Sequence, residues 1–216
     1  MKHISHFILF IVISNILMAG NFASAKNSSA VNLHELASEG NLKSFEKNFT
    51  KNTDVDKKDE SGSTLLMAAA NNGHVNIINF LIKRKANLNL RNKEDGTALY
   101  YAIINEQPAA SKLLIDNGAD VTLINEAGDS ALIAAVSVNA TDTIKQLLRK
   151  HPELLNKANK DKNTPLHEAI RNGSKETFEI ILKAGADKTL KDDLGRNALD
   201  LAKAEKNKYA EKLLSK

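Results

Sequence analysis

The sequence contains no cysteine and no tryptophan, and only three prolines. Without cysteine there is no disulfide, no thiolate metal site, no thiol nucleophile and no lipid carried on a cysteine. Aromatic residues make up 5% of the chain. Stacking platforms for nucleic acid are therefore scarce, and the core must be built mainly from Leu, Ile, Val and Ala. Neither sign of charge dominates: 30 Lys and Arg stand against 26 Asp and Glu, interspersed rather than in blocks. No basic cluster of the kind that grips a phosphate backbone is present, which argues against a nucleic-acid partner. Catalytic signatures are missing too. There is no nucleophile elbow, no H-E-x-x-H and no phosphate-cradling G-x-x-x-x-G-K.

What is present begins with a short apolar run. Lys2 precedes "HFILFIVISNILMAG", and Ala23, Ser24 and Ala25 place small residues where a signal peptidase reads. Ser14 and Asn15 interrupt the run, which is shorter than the roughly 20 apolar residues of a membrane span. The expectation is a signal peptide over 1–25 cleaved before Lys26, a short linker over 26–30, and a periplasmic chain, with secretion as second choice. No stable membrane anchor is expected after cleavage. The mature chain would carry a net charge of about +3, which names no partner by itself.

From residue 31 the chain repeats itself every 33 or 34 residues. "VNLHELASEG" at 31, "TLLMAAANNG" at 64, "TALYYAIINE" at 97, "SALIAAVSVN" at 130, "TPLHEAIRNG" at 164 and "NALDLAKAEK" at 197 align without gaps. Their third residue is always Leu: Leu33, Leu66, Leu99, Leu132, Leu166 and Leu199. Gly returns at the tenth position as Gly40, Gly73 and Gly173. A second motif runs in phase, "GADV" at 118 and "GADK" at 185, with "KANL" at 85 and "NTDV" at 52 as weaker copies. Between the motifs lie amphipathic stretches, with Ile77, Ile78, Leu81 and Ile82 on one helical face. Each unit thus reads as short helix, turn, longer helix, helix stop and extended loop.

Within this pattern, the adjacent His167 and Glu168 could suggest an acid/base pair. The sister units place His34, Met67, Tyr100, Ile133 and Asp200 at the histidine's position. Met and Ile cannot transfer protons, so a scaffold role fits better. His74, after the Gly turn, reads the same way. "DVDKKDE" at 54–60 lacks the sixth-position Gly that a calcium loop needs and reads as a solvated loop. Gly62 and Gly195 occupy corresponding loop positions, where a turn calls for positive φ.

The period, together with "TPLHEA" at 164–169, resembles the ankyrin repeat family. The resemblance covers 31–216 as six units starting near 31, 64, 97, 130, 164 and 197, with the outer two as caps. It implies an all-α solenoid of stacked helix-turn-helix units with β-hairpin-like loops, without cofactor, metal site or catalytic residue. It implies a non-enzymatic monomer that binds a protein partner through loop tips and the outer faces of the first helices. The positions so implied are Lys58, Glu60, Ser63, Asn71 and Asn72 in the second unit, and Lys93, Glu94, Tyr101, Ile104 and Asn105 in the third. The fourth adds Glu126, Asp129 and Val138, the fifth Lys160, Asp161, Glu168 and Arg171, and the last loop Arg196. Tyr101 and Arg171 are of the types that most often anchor interfaces. Similar exported bacterial proteins suggest a restraining or self-protecting role toward an envelope enzyme such as a cell-wall hydrolase. The alternative is a secreted effector that binds a host protein. Three departures carry expectations of their own. Glu106, Asn139 and Lys206 replace the turn glycine, which should make those turns less standard. Pro108 suits the first turn of a helix. An extra residue within "RKHPELLNKAN" should produce an irregularity that bends the stack between the fourth and fifth units.

Overall fold

Five of the six repeats start where a hydroxyl or amide side chain closes a helix N-terminus. Thr64, Thr97, Ser130, Thr164 and Asn197 accept hydrogen bonds from the backbone N–H three residues on, at Met67, Tyr100, Ile133, His167 and Asp200. A cap of this kind satisfies one of the amides that a helix start leaves unpaired, worth about 1 kcal/mol. In the computed structural model, which describes residues 31–216, the result is six helix pairs. They are α1 (Leu33–Glu39) with α2 (Leu42–Asn48), α3 (Leu65–Asn71) with α4 (Val75–Lys83), and α5 (Ala98–Ile104) with α6 (Pro108–Asp116). Then follow α7 (Ala131–Ser137) with α8 (Thr141–Lys150), α9 (Pro165–Arg171) with α10 (Lys175–Lys183), and α11 (Ala198–Ala204) with α12 (Lys208–Leu214). Pro108 stands at the start of α6, as its fixed φ and missing N–H favour.

First helices pack on one another in chain order, α1 on α3 through to α9 on α11, and second helices form an outer layer from α2 to α10. The third-position leucines show what stacking does. Leu66, Leu99, Leu132 and Leu166 are at most 2% exposed, whereas Leu33 and Leu199, in the end units, are only partly buried. Two neighbours are needed to cover each leucine. Ala69, Ala102, Ala135, Ala169 and Ala202 are all fully buried at one repeat position, where a small side chain lets helices approach closely. Among the described residues there is no strand. The β-hairpin character of the loops shows in one antiparallel bridge, Lys58 with Thr64, and in a backbone bond that closes each finger, such as Asn92 N–H to Gly96 O at 3.1 Å.

The turns between paired helices depart from expectation in an instructive way. Glu106, Asn139 and Lys206 keep the left-handed turn, with φ of +54°, +56° and +56°, beside +76° and +72° at Gly40 and Gly73. The stack therefore imposes the standard turn on residues that adopt it at a cost of about 1 kcal/mol each. Gly173, in the unit with the fullest signature, lies outside the left-handed region. A Cβ there would come within 2.3 Å of the Ala169 carbonyl oxygen. Ser174 then caps α10 by accepting from Thr177 N–H.

The loops project as fingers tied to their neighbours in two rows. At the finger bases, Asn87 N–H donates to Asp56 at 2.9 Å, Asp120 N–H to Asn89 at 2.8 Å, and Asp187 N–H to Asn156 at 2.9 Å. This row is interrupted between the fourth and fifth units, where Pro152–Leu154 form a single 3-10 turn that takes up the extra residue. The irregularity thus falls where the altered motif places it. Near the tips, Lys93 N–H donates to Ser61 O, Lys160 N–H to Ala127 O and Asp193 N–H to Asp161 O, at 3.1, 3.3 and 3.0 Å.

The first two units are held by a concentration of the scarce aromatics. Phe45, Phe49 and Phe80 have ring centroids 5.2–5.6 Å apart, and the Arg84 guanidinium lies 3.4 Å from the Phe80 centroid. Residues 1–30, with the signal peptide and linker expected there, lie outside the described residues. No described helix is long and apolar enough to cross a membrane. Phe80→Ala should destabilise the stack by about 3 kcal/mol, and Arg84→Ala by less than about 1 kcal/mol. Urea unfolding of the two variants followed by circular dichroism measures both.

Candidate protein-binding surface

Each finger is organised from its root by an Asp or Asn side chain. Asp59 Oδ1 accepts from the N–H groups of Ser61 and Ser63, both at 2.9 Å. Asn92 does the same for Glu94 and Gly96, Asn159 for Asp161 and Asn163, and Asp192 for Leu194 and Arg196. Asn125 accepts from Asp129 N–H at 2.9 Å. Such a side chain replaces a backbone partner and holds the turn without a strand. These five residues were not among the candidate positions. Their signal was the same repeat period: 59, 92, 125, 159 and 192.

The finger residues Lys58, Glu60, Lys93, Glu94, Glu126, Lys160 and Asp161 are exposed, as is Asn72 at the end of α3. Asn71, Asn105, Val138, Glu168, Arg171 and Arg196 are half-buried. Asn105 donates to Asn71 across the second and third units at 2.9 Å.

Four candidate positions are not on the surface. Tyr101 is 3% exposed. Its hydroxyl accepts from Asn92 Nδ2 at 2.7 Å and donates to Glu94 at 3.1 Å. Its ring closes over Gly96, where a Cβ would lie 2.7 Å from it. Burial, with the Glu94 charge, raises its pKa well above the ordinary tyrosine value. Tyr101 is thus a prop for its own finger rather than an anchor for a partner. Ile104, 7% exposed, belongs to the core. Asp129, 5% exposed, accepts from Asn159 Nδ2 at 2.7 Å and joins the fourth finger to the fifth. Ser63, 3% exposed, accepts from Asn92 Nδ2 at 3.1 Å and joins the second to the third.

His167 is buried, with Nε2 3.2 Å from the Arg196 carbonyl oxygen and Nδ1 3.2 Å from Thr164 N. A carbonyl can only accept, so Nε2 carries the proton and Nδ1 accepts from Thr164 N–H. Burial lowers its pKa, which favours this neutral form. His34 reaches Ser63 O at 3.0 Å in the same way, and Met67 Sδ and Asp200 Oδ2 accept from the Thr64 and Asn197 N–H groups in their units. His74, one turn later, holds Ser38 O at 2.6 Å. Glu168 bonds elsewhere, accepting from Asn172 Nδ2 at 2.6 Å. Burial, reinforced by the Asp129 charge, raises its pKa.

The last finger is closed by charge. The Asp192 carboxylate is fully buried and meets Arg196 at 2.7 Å and Arg171 at 3.3 Å. Burial pushes its pKa up, but the hydrogen bonds from Arg196 and the charges of both arginines outweigh it, and the net shift is downward. Arg171 and Arg196 are therefore partly committed to holding this finger. Among the described residues no group of His, Asp and Glu is arranged to hold a metal ion.

Capped helix pairs in register and a row of tethered fingers with exposed tips define a repeat-built scaffold that presents a preformed surface to another protein. The sequence profile described as Ankyrin repeats (3 copies) matches residues 33–125 and 122–192. The chain belongs to the ankyrin repeat family, whose members bind protein partners. The human transient receptor potential cation channel subfamily A member 1 is 32% identical over 176 residues, covering 80% of this chain and 16% of the channel. Protein PhlB of Serratia liquefaciens is 33% identical over 106 residues, covering 49% of this chain and 47% of its own length. The chain thus spans about one sixth of the channel and under half of PhlB. Among solved structures, the complex of the Bdellovibrio bacteriovorus predatory endopeptidase Bd0816 with immunity protein Bd3460 contains a chain 37% identical to this one. The TM-score is 0.79, and the alignment covers 88% of this chain and 98% of that one. The ankyrin repeat protein EF0377 matches with 27% identity and a TM-score of 0.79, covering 88% of this chain and 99% of its own.

Two variants test the electrostatics. Asp192→Ala leaves two half-buried guanidinium groups without their carboxylate and should cost about 3 kcal/mol, with unfolding read by urea titration. Glu168 titrates higher in the fold than its ordinary value of 4.5, so folding disfavours its charged form. Stability is lost as pH rises through the folded pKa. Glu168→Gln should therefore be the more stable protein at pH 7, and the difference should vanish as pH falls below about 4.5. Thermal melts across that range measure it.

Proposed function

We propose that this protein is an exported binding protein that restrains an envelope enzyme, a cell-wall hydrolase being the most concrete target, and so protects the cell that makes it. The observation that carries the reading is the likeness, over 98% of its length, to a chain of a solved complex between an endopeptidase and its immunity protein. The export-like first 25 residues and the absence of cysteine fit delivery to the periplasm. The binding surface in this reading is the finger row, from Lys58 and Glu60 through Lys93, Glu94 and Glu126 to Lys160 and Asp161. Because backbone and side-chain hydrogen bonds already hold these fingers, little ordering remains to oppose association.

The test is capture on the purified chain from the envelope fraction of the producing cell, followed by an activity assay of the retained protein. Retention of a wall hydrolase whose activity falls to zero at one equivalent is the expected result. Retention of a non-hydrolytic partner would overturn the hydrolase target, and a catch only from host extract would replace this reading with that of a secreted effector. Reversing Lys93 and Lys160 to Glu together should weaken the captured complex by about tenfold or more, while the melting temperature stays within a few degrees. Surface plasmon resonance on both proteins measures the change.

A further inference from the structure

The bonds that join neighbouring units are missing in two places at one interface. Near the finger tips, the repeat pattern calls for Glu126 N–H to donate to Glu94 O, yet among the described residues no backbone bond joins the third and fourth fingers. The two residues at the missing link are both glutamates, whose like charges oppose close approach. Side chains cross there instead: Arg91 reaches Ile124 O at 2.7 Å, and Tyr100 of the third unit lies against Asn125 at the root of the fourth finger.

The helix turns repeat the pattern. His74 ties the second unit to the first, and Asn105 ties the third to the second. Asn139 binds both Asn172 O and Ser174 N–H of the fifth unit, and Asn207 binds Ile170 O across the last interface. The position that holds His74 and Asn207 in their units is Ala140 in the fourth, and alanine has nothing with which to reach the third.

Small side chains meet at the same interface. α6 carries Ala110 and Ser111 where α4 carries Ile77 and Ile78. A groove of about 530 Å3 opens between α6 and α8, beside Pro108, Ala109 and Thr143. A second space of about 180 Å3 adjoins it at the turns, beside Glu106, Ser111 and Ala140. At this point the two helices share a buried hydroxyl pair, Ser111 with Thr143 at 3.1 Å.

The opposite edge is well tied. The Asp116 carboxylate accepts from Lys112 of its own helix, from Gln146 at 3.0 Å and from Lys150 at 2.6 Å, both on α8. The hydrogen bonds from Lys112 and Lys150 hold its pKa down to about 2. Beside it, Asp120 N–H binds Asn89 at the finger base. The third and fourth units are thus fastened along one edge, and at the tips and turns they lack the backbone and turn bonds that join the other units, which is how a hinge is built.

We propose that the stack consists of two three-unit blocks that rock apart between the third and fourth units, with Asp116 as the pin. The partner surface runs across both blocks, so opening changes the spacing of the Glu94 and Glu126 tips while each block keeps its shape. This inference concerns the chain alone and stands whether or not its partner is a hydrolase.

The absence of cysteine supplies a background-free reporter. In the full chain, Ser111→Cys places one thiol in the proposed hinge. Thr177→Cys places one at a buried site on α10, at the repeat position of Thr143. Both are small replacements at hydroxyl sites, and Thr143→Cys reports the same hinge from the other side should Ser111→Cys fold poorly. Reaction with 5,5′-dithiobis(2-nitrobenzoate) under native conditions should be at least about tenfold faster at position 111. Its rate should rise with urea less steeply than global unfolding does. Adding Asp116→Ala should speed labelling at 111 several-fold and leave 177 unchanged. Equal rates at both sites, or a urea slope at 111 equal to that of global unfolding, would overturn the two-block hinge. A rate at 111 independent of urea would also overturn it, as it would mean reagent entry through the groove without any opening.

Discussion

A helix pair of this size has an apolar face it cannot bury by itself. Every other feature of the molecule follows from that constraint. Leu66, Leu99, Leu132 and Leu166 are covered only because a pair lies on either side, and the equivalent residues at the ends, Leu33 and Leu199, are not fully covered. Stability then resides in the contacts between units as much as within them. The stack is strong enough to force Glu106, Asn139 and Lys206 into a turn built for glycine. It also disposes of the backbone polar groups that a loop-rich repeat would otherwise expose, through finger-root side chains that recur with the helices.

The repeat was legible because stacking demands the same side chain at the same place in each unit. Leu at the third position, Ala at the sixth and an N-capping Thr, Ser or Asn at the first are each required by geometry that recurs every 33 residues. The scaffold role of His167 was readable for the same reason, since Met67 makes the same cap contact with a thioether. The surface was less readable. Tyr101, Ile104 and Asp129 occupy first-helix or finger positions that are open in principle, yet all three are buried. Gly96 makes space for the Tyr101 ring, a relation between two positions that neither reveals alone. Residue type suggested an anchor, and local space made it a prop. Gly173 shows the converse, where a matched residue adopts an unmatched conformation.

The fingers keep their shape before any partner arrives, because each is held at its root by one side-chain oxygen and most are braced along the flank by a neighbouring finger. What they present outward is charge of both signs and little apolar surface; Leu194, 68% exposed at the last tip, is an exception. A surface of this kind selects its partner by the pattern of charges and by shape, with affinity concentrated in few contacts. It also resists indiscriminate association, which suits a protein that shares a compartment with many others.

The two ends of the stack are secured by different chemistry. At the first two units, three phenylalanine rings and a stacked arginine form an apolar clamp; at the last finger, a buried carboxylate is held between Arg171 and Arg196. Acid undoes the second by protonating its carboxylate, while cooling weakens the first more than the second. Acid and cold thus act on opposite termini of the same solenoid, and the order in which its units fray is a property of the solvent as much as of the chain.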